Sequence, residues 1–112
     1  MIRTDGFYLK PANKYTDAIA GNTVEGFIHW AYLFLDDGVI KRCRKETSNK
    51  DVNFIKEDFK GAYSGEYGLT GDVLKIVFDK GSKWEYKESF VMKSNKKFTN
   101  DDQTFIFHEW NE

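Results

Sequence analysis

Very little in this chain decides its function on sight. One cysteine, Cys43, stands in 112 residues, which excludes an internal disulfide and a cysteine-rich zinc site. The two histidines, His29 and His108, have no clustered carboxylate and make a poor metal site. No run reaches the roughly 18 apolar residues of a membrane helix, so no membrane span is expected. The net charge is only −1, with signs interspersed, and lacks the basic stripe of a nucleic-acid binder. There is no nucleophile elbow, no phosphate loop and no His-Glu-x-x-His. No enzymatic activity and no cofactor are therefore expected. The start, Met1-Ile2-Arg3-Thr4-Asp5, lacks the apolar core of a signal peptide. As written the chain reads as cytoplasmic; with a leader removed before Met1 it would belong to the cell envelope or be secreted. The compartment is left unknown.

Aromatic residues and turn chemistry are what the chain has. Aromatics make up 17% of it, and proline occurs once, at Pro11. Aromatic side chains favour strands. The length suits a single domain, residues 1–112, able to bury roughly 60–70% of its unfolded surface without staples.

The longest apolar run, residues 26–35, organises the rest. Ile28, Trp30, Tyr32 and Phe34 share one face, and Phe27, His29, Ala31, Leu33 and Leu35 the other. Both faces are apolar, so the strand is expected to be covered on both. Asp36-Asp37-Gly38 then fits a three-residue hairpin loop with Gly38 left-handed. That loop pairs Phe34 with Ile40, Tyr32 with Arg42 and Trp30 with Arg44. A two-residue Asp37-Gly38 turn would instead set Phe34 beside Lys41, and the first register is preferred because it keeps the apolar pair together.

The remaining elements are shorter. Gly6-Phe7-Tyr8-Leu9-Lys10 is a first strand stopped by Pro11. Residues 11–25 are mixed, with a weak helical signal at 17–20. Residues 51–59 admit a short helix that buries Phe54, Ile55 and Phe59. A two-residue Gly71-Asp72 turn pairs Leu69 with Leu74 and Tyr67 with Ile76. In residues 83–92, Trp84, Tyr86, Phe90 and Met92 alternate with polar residues, interrupted by Glu88. Residues 104–110 form the last strand. The sum is an all-β, antiparallel up-and-down meander of seven or eight strands closing into a small barrel. A barrel of about eight strands is just wide enough for side chains or one small ligand.

The hairpin over residues 32–40 and the run Gly65-x-Tyr67-x-Leu69-x-Gly71-Asp72-x-Leu74-x-Ile76 resemble the small lipocalin-like (calycin) domains of uncharacterised bacterial proteins. The resemblance implies a β-barrel and, loosely, a ligand. The usual Gly-x-Trp of ligand-carrying lipocalins is represented only by Gly6-Phe7-Tyr8.

Two functions are then in play. In the first, the barrel binds a small apolar or amphipathic molecule without catalysis. Trp30, Tyr32, Arg42, Arg44, Tyr67, Trp84 and Tyr86 line the site, and a guanidinium among aromatics holds a carboxylate or phosphate. The plainer reading of Arg42 and Arg44 places them at the barrel mouth, stacked on aromatics and wet at their tips. In the second, the barrel is filled, and the apolar outer face of residues 26–35 carries a homodimer or a protein partner. Cys43 lies between the two arginines, but its side chain points away from them, so an ordinary cysteine is expected.

Overall fold

The structure is a computed structural model that describes residues 2–110, without the side chain of Ile19. Nine strands follow one another: β1 (Gly6–Leu9), β2 (Asn13–Ile19), β3 (Asn22–Phe34), β4 (Val39–Thr47), β5 (Tyr63–Thr70), β6 (Val73–Phe78), β7 (Tyr86–Ser94), β8 (Lys97–Thr99) and β9 (Thr104–Glu109). All neighbours are antiparallel, and the pairing of β1 with both β9 and β3 closes the sheet. Eight strands form the closed barrel and β2 is an addition to it, so the all-β meander read from the sequence is what the chain adopts.

The central hairpin has the expected register. Phe34 pairs with Ile40, Tyr32 with Arg42 and Trp30 with Arg44. Gly38 takes φ +84°, a value that glycine adopts without steric cost. The second hairpin also pairs Leu69 with Leu74 and Tyr67 with Ile76.

Residues 11–25 form no helical turn. They build a β-arm. β2 pairs with the first half of β3, from Asn13↔Ile28 to Ile19↔Asn22, and β1 pairs with the second half, at Tyr8↔Tyr32 and Leu9↔Ala31. β1 and β2 thus make one long strand along β3, shifted by one residue around Pro11, where the ring removes a donor and forces an irregularity. Ala20 and Gly21 turn the arm with φ 52° and 82°, the signs of a type I′ hairpin turn. Because the arm projects, the radius of gyration is 15.2 Å, against roughly 13 Å for a compact domain of this length.

Two apolar clusters lie on either side of β3. The interior cluster includes Tyr8, Phe34, Ile40, Leu74, Ile76, Phe78, Phe90, Phe98 and Phe105, all at most 2% exposed. The rings among them meet edge-on, stacked or tilted, and together these side chains fill most of the barrel. The outer cluster is Phe7, Ala31, Leu33, Phe54 and Phe59, with Val52 and Trp110 against it. The outer face of residues 26–35 is therefore covered, as its apolar character leads one to expect, and the cover is a segment of the same chain. A strap formed by residues 52–59 packs on Ala31 and Leu33, which are 0% and 9% exposed, and His29 on the same face is 1% exposed. The expected short helix at 51–59 is reduced to a single 3-10 turn over Lys56–Phe59. Ile55 is exposed; only Phe54 and Phe59 of the expected three are buried. Lys45 of β4 clamps the strap, donating to the Asn53 carbonyl (2.8 Å) and pairing with Asp58 (2.7 Å).

Candidate functional site at the barrel mouth

One end of the barrel interior is not filled. Above the stacked rings of Tyr32 and Phe105, whose centroids are 4.6 Å apart, a cavity of about 170 Å³ opens to solvent. Trp30 of β3 and Tyr86 of β7 stand in its walls. Its polar lining is Lys10 at the end of β1, Arg42 of β4, Glu88 of β7 and Gln103 just before β9. Each points inward because strand side chains alternate: Lys10 follows Tyr8 by two, Arg42 follows Ile40, Glu88 precedes Phe90, and Gln103 precedes Phe105.

Arg42 is held by rings. Its guanidinium lies 4.6 Å from the Phe78 centroid, 5.1 Å from Tyr63 and 5.2 Å from Trp30. No carboxylate pairs with it among the described residues. This guanidinium lines the cup, and its planar fork of donors suits carboxylate and phosphate. Glu88 is held by hydrogen bonds instead. The Tyr32 hydroxyl donates to one of its oxygens (3.1 Å) and Gln103 Nε2 to the other (2.9 Å). Burial, followed by the neighbouring carboxylate, pushes the Tyr32 phenol far up. Tyr86 is pushed up to about 12 by burial and then by Glu88. Both phenols are hydrogen-bond donors at neutral pH.

The remaining expected site residues lie elsewhere. Arg44 sits at the rim, 5.8 Å from the Trp30 ring, and pairs with Glu46 at 2.9 Å. Tyr67 lies at the opposite end of the barrel, where its hydroxyl donates to the Leu35 carbonyl (2.6 Å). Trp84 is 71% exposed and outside the barrel. The turn before β7 holds it there: the Trp84 N–H donates to Ser82 Oγ (3.0 Å) and the Glu85 N–H to the Ser82 carbonyl (3.2 Å). Lys10 and Gln103 were not among the expected site residues. The alternation Tyr8-Lys10 and Gln103-Phe105-Phe107 carries the signal for both.

Cys43 lies on the outer face against the strap, and burial, with Asp58 nearby, pushes its thiol up. His29 is buried on the same face, with its Nε2 2.7 Å from Thr47 Oγ1. His108 lines an outer groove together with His29 and Val52 and stacks on Phe7. No group of three or more His, Cys, Asp or Glu side chains among the described residues is placed to hold a metal. No family model, curated protein or solved structure matches this chain.

Proposed function

We propose that this chain is a small lipocalin-like domain, of the calycin type known from bacterial proteins, that binds a small amphipathic molecule at the barrel mouth and catalyses nothing. The observation that carries this reading is Arg42: a guanidinium fixed by three aromatic rings, without an anionic partner among the described residues, beside an open cup. A guanidinium is weakly hydrated for a cation, and against aromatic faces it is already oriented. An incoming carboxylate or phosphate group meets preset donors and loses little in ordering them.

The size of the cup says how much of the ligand enters. About 170 Å³ is below the roughly 300–1,000 Å³ of sites that enclose drug-sized molecules. A charged head fits and a long apolar body does not. The apolar remainder lies against Trp30 and, on the same face of β3, Ile28 of the arm. The polar lining favours an amphipathic ligand over a wholly apolar one, because Arg42, Lys10 and Glu88 would each lose water without compensation.

The test is an NMR titration with short organic acids and phosphates, with and without an amino group. At least one member of the panel is expected to shift the Trp30 indole N–H saturably, and Arg42→Gln to abolish the shift. A panel that leaves Trp30 unmoved overturns the proposal. So does a shift of undiminished affinity in Arg42→Gln.

A further inference from the structure

We infer that the head group this mouth accepts is zwitterionic, a short ammonium carboxylate, with its carboxylate on Arg42 and its ammonium on Glu88. The inference rests on the reading of the mouth as a ligand site. It comes from a second feature of the cup, the unclosed pair of opposite charges inside it.

Arg42 and Glu88 line one cavity from different strands, yet no ion pair joins them. Each is anchored to its own wall. Arg42 is sandwiched by Trp30, Tyr63 and Phe78. Glu88 is fixed by the Tyr32 hydroxyl and the Gln103 amide, one donor on each oxygen. A carboxylate oxygen can accept more than one hydrogen bond, so Glu88 keeps acceptor capacity on the cavity side.

A monofunctional ligand fits this arrangement poorly. A plain carboxylate on Arg42 also meets the Glu88 charge across a cup walled by Trp30, Tyr32, Tyr86 and Phe105, where like charges repel more strongly than in bulk solvent. A plain ammonium on Glu88 meets Arg42 and Lys10 in the same way. A zwitterion sets opposite sign against each, so attraction replaces repulsion at both ends. The walls agree. Tyr86, two residues before Glu88 on the same face of β7, offers a ring to an ammonium. The small volume restricts the spacer between the two groups to a few atoms, as in α-, β- and γ-amino acids or their N-methylated betaines.

Calorimetry decides it. Glycine, β-alanine and γ-aminobutyrate are titrated into the full chain at constant ionic strength, beside propionate and propylammonium. The best amino acid is expected to bind about tenfold or more tightly than either monofunctional probe, the scale of one added charge-assisted hydrogen bond. Glu88→Gln, which keeps the shape of the side chain, is expected to erase that preference while propionate still binds. Propionate binding the wild-type protein as tightly as the amino acids overturns the zwitterion and leaves the mouth as an anion site. No binding by any probe, in a chain whose spectrum shows it folded, overturns both. If Glu88→Gln does not fold, the wild-type comparison alone decides.

Discussion

Replacing Phe54 with alanine tests whether the strap is part of the core. Phe54 is fully buried, with its ring 5.6 Å from Phe7, 5.9 Å from Phe59 and 4.8 Å below the Lys45 ammonium. An aromatic side chain buries about 150–250 Å². At about 25 cal/mol per Å², the part beyond Cβ contributes roughly 3–4 kcal/mol. The residual cavity beneath Lys45 brings the expected loss into the range of about 3–5 kcal/mol for Phe→Ala. Against a total of about 5–15 kcal/mol for a domain of this kind, that is a large share. The melting temperature should fall by on the order of 15 °C. Urea unfolding followed by circular dichroism reads the loss directly. Ile55→Ala, one residue along on the exposed side of the strap, serves as the control and should stay within about 0.5 kcal/mol of wild type. If the strap lets go before the barrel opens, Phe54→Ala will also expose Ala31 and Leu33 and associate at high concentration. A loss under about 1 kcal/mol with no association would refute the claim that residues 52–59 cover β3.

Two further predictions concern the barrel wall and the pH response. Gly65→Ala should cost about 1–3 kcal/mol or more, because an added Cβ would stand 2.5 Å from the Val77 carbonyl oxygen and 2.6 Å from the Phe78 ring; a thermal midpoint equal to wild type would contradict this. His29 is held below its ordinary value by burial first and by Lys45 as well, while the Asn49 backbone works in the other direction. The unfolded chain therefore binds more protons than the native one at mildly acid pH. The His29 contribution is complete above about 6.5, the unfolded value, and is lost as pH falls from there through the lowered native value. In a series of unfolding curves at stepped pH, His29→Gln should flatten that part of the slope, and an unchanged slope would show that His29 is not responsible.

The parts of the fold legible in the sequence are those set by neighbouring residues. Asp36-Asp37-Gly38 carries its own turn chemistry, and with the apolar pattern of 26–35 it sets the Trp30–Arg44 register before any tertiary contact exists. Gly71-Asp72 does the same for β5 and β6. β2 carries no such signal. Both its faces look to solvent along the arm, so no alternation marks it, and Ala20 occupies a turn position where asparagine or aspartate would normally signal a hairpin. The strap is hidden for a different reason. Its contacts join Phe54 and Phe59 to Ala31 and Leu33 across an intervening strand, and nothing local to residues 51–59 says which surface they meet. At the site, alternation tells which face a residue occupies but not its height in the barrel. Tyr67 therefore has the right face and the wrong end. Trp84 belongs to a pattern that runs past the start of its strand into a turn. Glu88 interrupts an apolar face, and the reason lies in partners distant in the chain, Tyr32 of β3 and Gln103 just before β9.

The central claim is that Arg42, held against Trp30, Tyr63 and Phe78, receives the anionic group of a small ligand at the barrel mouth. The most direct measurement is the side-chain Nε–H resonance of Arg42, followed while each member of the panel of short acids, phosphates and amino acids is added. The account predicts that at least one member shifts that resonance saturably, in step with the Trp30 indole and with the same apparent affinity. An Arg42 resonance that stays in place through every titration, whether or not signals elsewhere move, would contradict it.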